Sequence, residues 1–368
     1  MDQGQLTEAQ LDRAIGAILG SAVGDALGAP FEFKPPVSND TLIEMTGGGA
    51  FGWQPGEWTD DTSMQIPILQ ALARGKSLSS EATLDGIVAD WQTWSQSAPD
   101  VGMQTRAVLE GLDHPTAAAA RKNAAELHIV KGRSGGNGSL MRTAPVALAT
   151  INSPEQTAAH ARALSDLTHF DQDAGDACVI WSETIRMAIL TGNAQIREAV
   201  SLIPAERQPL WLERIDDAEK HEPAAFENNG WVVSAFQASW SAVYRADSLR
   251  DGLERAVRAG FDTDTVAAIA GGVLGAKFGA KAIPAEWRDY LHGWPGFKAN
   301  DLEILVRRVD SGEIHDTFLH AYRNLYERFS LANNLEIDLD KVTWQMSHEV
   351  AFGHLFKKLQ AVYLRKGL

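Results

Sequence analysis

The chain has 368 residues, 45% hydrophobic and 22% charged, a balance that allows a substantial core and argues against disorder, while the length fits one large domain or two ordinary ones. Its 33 Lys and Arg stand against 48 Asp and Glu, a formal net charge of −15. That excess of acid argues against nucleic acid and against an anionic membrane surface, both of which need a basic patch to offset phosphate charge.

The chain opens MDQGQLTEAQLDRA, with no basic stretch leading into an apolar one, and contains no uncharged apolar run of membrane-spanning length. Thr7-Glu8-Ala9-Gln10 has the form of a capping box. Leu11, Ile15, Ile18, Leu19, Ala22 and Ala26 follow at intervals of three and four, which predicts a helix. Gly16, Gly20, Gly24 and Gly28 recur along it at every fourth residue. Each mid-helix Gly costs about 1 kcal/mol against Ala, so the row implies close approach of another backbone. On this helix Asp25 can be polar packing, a partner of a site residue or a site residue itself. Beyond it, Glu32 reads equally as a surface-loop or a site carboxylate.

Helices are predicted around 61–74, 80–96 and 103–111, with only a short alanine run at 117–120 after them. Then comes a Gly-rich stretch, GRSGGNGSLMR at 132–142, able to present backbone N–H groups to an anion but lacking the Gly-Lys-Ser/Thr end of a phosphate-binding P-loop. Helices follow around 154–165 and 172–191, the second with Asp171 as its N-cap. Cys178, the single cysteine, lies in it beside Val179, Ile180 and Trp181 and reads as a buried thiol in a reducing compartment; a cytoplasmic location is the expectation. A helix around 195–202 precedes a loop-like stretch at 203–223. The remaining helices are expected at 230–246, with Trp231 as core, 248–259, 265–280, 301–309, 314–332 and 345–365. A second four-residue glycine row, Gly271, Gly275 and Gly279, falls within 265–280. Strand signals are weak, so the fold class is all-α.

Two segments carry the chemistry. GEWTDDTSM at 56–64 and GFDTDTVAAI at 260–269 each set threonines and two carboxylates just before an apolar helical pattern. Helix capping needs one acceptor; two adjacent carboxylates, twice over, repel one another unless a pKa rises or a cation binds. Oxygen ligands without Cys or His suit Mg²⁺ or Mn²⁺ and not tetrahedral zinc.

Taken together, GSAVGDALGAPFEF, GEWTDDTSM, GGNGSLMRTAPVAL, THFDQDA, NNGWVVSAFQASW and GFDTDTVAAIAGGVLGAKFG resemble the ADP-ribosylglycohydrolase family. They run in that family's order from Gly20 to Gly279, with IPAEW at 283–287 also similar. The resemblance implies a compact, single-domain orthogonal bundle of helices around a binuclear Mg²⁺ or Mn²⁺ centre. The domain would take in 1–368, with the motifs in 11–290 and a helical extension at 291–368. By motif, Thr59, Asp60, Asp61, Asp262, Asp264 and Thr265 become metal ligands. Glu32 becomes a catalytic, substrate-gating carboxylate beside Asp60 and Asp61, and Ser134, Gly135, Asn137, Gly138 and His169 become contacts for ADP-ribose. Phe261 departs from the small or polar residue the family pattern has there, and no motif carries over beyond about 290.

The activity so implied is metal-dependent hydrolysis of the N- or O-glycosidic bond joining ADP-ribose to an acceptor, with a protein arginine the foremost candidate. Its partners would be an ADP-ribosylated protein or another ADP-ribosylated acceptor, with an ADP-ribosylating enzyme or toxin acting in opposition. An inactive ADP-ribose-binding relative and a Mg²⁺-dependent pyrophosphohydrolase are the alternatives.

Overall fold

The computed structural model describes residues 5–311, and in them the all-α expectation holds. The helices are α1 (Glu8–Gly28), α2 (Asp60–Ala73), α3 (Glu81–Ser95), α4 (Met103–Glu110), α5 (Ala117–Lys131), α6 (Val146–Ala149), α7 (Pro154–Asp166), α8 (Gln172–Thr191), α9 (Ile196–Ala199), α10 (Gln208–Lys220), α11 (Val232–Arg245), α12 (Leu249–Val257), α13 (Thr263–Phe278), α14 (Ala285–Tyr290) and α15 (Ala299–Ser311). Between α14 and α15 two short antiparallel strands, β1 (His292–Gly293) and β2 (Phe297–Lys298), form a hairpin. The helices expected at 314–332 and 345–365 lie outside the described residues.

The capping box at Thr7 forms: the Gln10 N–H donates to Thr7 Oγ1 and the Thr7 N–H to Gln10 Oε1. From there α1 runs buried on every face from Ala14 to its end. On length and composition Glu8–Phe31 could cross a membrane, but 94% of its most apolar window is buried inside the protein, and it serves as the central core helix.

Its closest neighbour is α13, and the two glycine rows explain why. A Cβ on Gly16 would lie 2.2 Å from the Gly275 carbonyl oxygen, one on Gly20 2.4 Å from that of Gly271, and one on Gly24 2.1 Å from that of Ala267. No side chain fits between these backbones, so the helices meet along a ridge that only glycine permits. At its far end Gly28 faces the backbone of Thr263 and Asp264. The packing therefore sets the end of α1, which carries Asp25, against the start of α13, which carries Asp264.

Two expectations fail on secondary structure. The stretch 203–223 is not a loop: α10 fills most of it and buries Trp211, Ile215 and Ala218 on one face. Helix α5 has no large apolar stripe, burying only Ala117, Ala120 and Ala124. It is held by the Thr116 N-cap and ended by Gly132 in the left-handed conformation.

Candidate active site

Helix α2 starts in the core, and its first turn is built from TDDT. Thr59 is the N-cap; its hydroxyl accepts from the Asp61 N–H and lies 3.2 Å from Asp61 Oδ2, to which it donates. Two more N–H groups here go to α1: Asp25 Oδ1 accepts from the Thr59 N–H at 2.9 Å, and Asp25 Oδ2 accepts from the Thr62 N–H and hydroxyl at 2.9 and 2.6 Å. Asp25 is thus fully buried, capping α2 from a neighbouring helix and standing within the carboxylate cluster at once. Burial pushes its carboxyl up to about 7 despite these donors.

Helix α13 brings the second acidic motif to the same point. The Thr265 hydroxyl donates to Asp61 Oδ2 at 3.2 Å. Asp25, Asp61 and Asp264 each offer a carboxylate oxygen, all within 4.8 Å of one another. Glu32, Asp100 and Asp264 do the same, so Asp264 belongs to both groups. Asp61 and Asp264 are raised well above the usual carboxylate range, first by burial and then by their acidic neighbours.

Glu32 leaves the short 3-10 turn Ala29–Phe31 and is 7% exposed, which removes the surface-loop reading. Burial raises it to about 9, helped by the charges of Asp100 and Asp262. Its loop is tied to the loop before α13: the Phe33 N–H donates to the Phe261 carbonyl and the Phe261 N–H to the Lys34 carbonyl, each at 2.6 Å. Phe33 and Phe261 both have positive φ, 61° and 60°, a conformation that costs a residue with a Cβ about 1 kcal/mol or more. A Gly or Asn would adopt it more easily than Phe261 does.

Asp60 lies at the edge of the cluster, accepts from the Gly102 N–H at 3.2 Å, and is raised by burial to about 6. Asp262 is half-buried. Its carboxylate accepts from Asn137 Nδ2 at 2.7 Å, and its N–H donates to Asn229 Oδ1 at 3.1 Å.

The Gly-rich loop is docked beside these acids by backbone and side-chain bonds. Asn137 Nδ2 also donates to the Asn229 carbonyl, the Asn137 N–H to the Gly230 carbonyl, and the Val232 N–H to the Gly135 carbonyl. Gly138 packs on His169: a Cβ there would lie 3.2 Å from the ring Nε2. Ser134 is buried, its Oγ 2.6 Å from His128 Nδ1. Trp231 is not helix core; it caps α11 and is 40% exposed.

Among the described residues, no Lys, Arg or His forms an ion pair or hydrogen bond with Asp25, Glu32, Asp60, Asp61, Asp262 or Asp264. Two buried oxygens, Asp61 Oδ1 and Glu32 Oε2, have no hydrogen-bond partner. Repelling carboxylates with free lone pairs fit a hard divalent cation, which satisfies both needs together. Asp100 was missed at the level of sequence. In Ser97-Ala98-Pro99-Asp100-Val101-Gly102 it looks like a turn residue, and nothing local separates it from one.

A family model described as ADP-ribosylglycohydrolase matches residues 6–320. ADP-ribosylarginine hydrolase Tri1 of Pseudomonas putida is 29% identical over 322 residues, covering 86% of this chain and 84% of that protein. The ADP-ribosyl-(dinitrogen reductase) glycohydrolase of Rhodospirillum rubrum is 31% identical over 288 residues, 76% of this chain and 90% of its own length. Among solved structures, a chain of an ADP-ribosylglycohydrolase-related protein complex is similar with a TM-score of 0.63 and 27% identity, over 83% of this chain and 99% of that one.

Proposed function

Given that this chain belongs to the ADP-ribosylglycohydrolase family and is a glycosidic-bond hydrolase, we propose that it removes ADP-ribose from arginine side chains of a modified protein, using two Mg²⁺ or Mn²⁺ ions. The observation that carries the binuclear reading is the membership of Asp264 in two carboxylate groups, Asp25/Asp61/Asp264 and Glu32/Asp100/Asp264. Thr59, Asp60, Asp61, Asp262, Asp264 and Thr265 would hold the cations, with Asp25 and Asp100 added to that set by their position. When bound, such ions polarise substrate oxygens and lower the pKa of water.

The chain's own groups divide the remaining work. Cleavage at the anomeric carbon builds positive charge on the ribose ring, and the surrounding carboxylates favour that charge. Asp60, raised to about 6, accepts the proton of the attacking water. Glu32, raised to about 9 and with Oε2 free, gives a hydrogen bond or proton to the departing guanidine. Asn137 holds Asp262 in place, and the loop at 134–138 with His169 takes the diphosphate and the distal ribose. The arginine acceptor is supported by the likeness to Tri1, named for ADP-ribosylarginine. The opposing partner in this reading is an ADP-ribosylating enzyme or toxin, and the setting is the cytoplasm.

The test is product analysis on arginine-linked and serine-linked ADP-ribosyl peptides, with Glu32→Gln alongside. Intact ADP-ribose from the arginine linkage, slowed by Glu32→Gln, is the expected result. Release from serine alone would overturn the acceptor, AMP as product would overturn glycosidic cleavage in favour of pyrophosphate hydrolysis, and binding without release from either linkage would make the protein an ADP-ribose-binding relative.

A further inference from the structure

Behind His169 runs a buried chain of hydrogen bonds that ends in a cation. Arg142 is 1% exposed, with its guanidinium stacked 4.0 Å from the ring centre of Trp91. Trp91 is itself anchored by its indole N–H on the Met64 carbonyl. Arg142 Nη2 donates to the Leu164 carbonyl at 3.1 Å and to Thr168 Oγ1 at 2.7 Å. Thr168 Oγ1 in turn lies 2.7 Å from His169 Nδ1.

Proton counting fixes the direction of that last bond. Arginine carries N–H donors and no acceptor, so the Thr168 oxygen must accept from Arg142. A hydroxyl has one hydrogen, and His169 Nδ1 is the only side-chain acceptor within hydrogen-bond distance of Oγ1 among the described residues. If Nδ1 carried the proton, the buried Thr168 hydroxyl hydrogen would have no acceptor. Nδ1 therefore accepts, and the ring proton sits on Nε2. That nitrogen makes no hydrogen bond among the described residues and faces the Gly-rich loop, where a Cβ on Gly136 or Gly138 would lie 3.3 or 3.2 Å from it.

We propose that Arg142 and Thr168 are positioning residues that lock His169 in the Nε2–H tautomer, making its ring a fixed neutral donor for an acceptor atom of ADP-ribose at the loop 136–138. The ligand half of this proposal rests on the function proposed above; the lock does not. Burial first, and then the charge of Arg142, holds His169 well below the ordinary histidine range, so the ring stays neutral. The absent side chains of Gly136 and Gly138 leave the donor edge of the ring open.

The experiment uses the full chain labelled with ¹⁵N-histidine, with His169→Gln to assign the signal. Long-range ¹H–¹⁵N spectra and titration with ADP-ribose are recorded for the wild type, Thr168→Val and Thr168→Ser. The wild type and Thr168→Ser should show His169 protonated on Nε2. Thr168→Val should lose that single tautomer and bind ADP-ribose about tenfold more weakly, the loss expected for one hydrogen bond. A wild-type Nδ1–H tautomer overturns the proposal, as does a Thr168→Val protein with unchanged tautomer and affinity. An intact Nε2–H signal in wild-type protein that binds no ADP-ribose supports the lock and overturns the ligand half together with the ADP-ribose site proposed above, so the two fail separately.

Discussion

Replacing Gly271 by Ala tests whether the helix ridge holds the site together. The added Cβ would lie 2.1 Å from the Gly20 carbonyl oxygen, 2.6 Å from its carbon and 3.1 Å from the Ser21 nitrogen. All three are backbone atoms of a buried helix. Carbon and oxygen ordinarily meet at about 3.3 Å or more, so α1 and α13 would have to part by roughly 1 Å there. Overpacking costs about 1–3 kcal/mol, and two rigid backbones place this case near 3. Alanine returns about 1 kcal/mol of helix propensity, leaving a net loss of about 2 kcal/mol. The control is Gly86→Ala on the exposed side of α3, where a Cβ meets nothing within 4 Å; the same propensity should there stabilise by about 0.5–1 kcal/mol. Denaturant unfolding with both variants reads the two signs directly. Gly271→Ala as stable as the wild type would refute the ridge, and with it the account of how Asp25 and Asp264 are brought together.

In EDTA, stability should fall as pH rises from about 4, where unfolded carboxyls titrate, to about 9, where the last of the folded ones does. Asp60, Asp25, Asp100 and Glu32 are raised to about 6, 7, 8 and 9, with burial the largest cause in each, so the folded state binds more protons than an unfolded chain whose carboxyls titrate near about 4. Mg²⁺ should flatten that slope, and denaturation midpoints across the range with and without the ion check both; a flat profile in EDTA would contradict the assignment. Asp61→Asn should leave the ion-free protein as stable as the wild type or more so, by relieving repulsion around the partnerless Asp61 Oδ1, and should abolish the thermal stabilisation that Mn²⁺ gives, as a melting series would show. Asn137→Asp sets a like charge against Asp262 Oδ2, 2.7 Å away; kcat should drop about tenfold or more with the fold intact by circular dichroism.

The parts legible in sequence were those whose signal is local or repeated. The capping box at Thr7, the glycine rows and the doubled TDDT and DTDT motifs each carry their physics within a few residues. Asp25 stayed ambiguous because its partners, the N–H groups of Thr59 and Thr62, lie on another helix, and Asp100 had no local mark at all. Trp231 was misjudged for the same reason: it is left at the surface as an N-cap. Proline and charge disguised α10, whose buried stripe is only Trp211, Ile215 and Ala218.

The most direct test of the account is ADP-ribose release from an arginine-ADP-ribosylated protein by EDTA-treated enzyme, before and after Mg²⁺ or Mn²⁺ is restored, beside Asp264→Asn. The account predicts no release in EDTA, recovery with either ion, and none from the folded variant under any condition. Undiminished release in EDTA, or by folded Asp264→Asn, would contradict it.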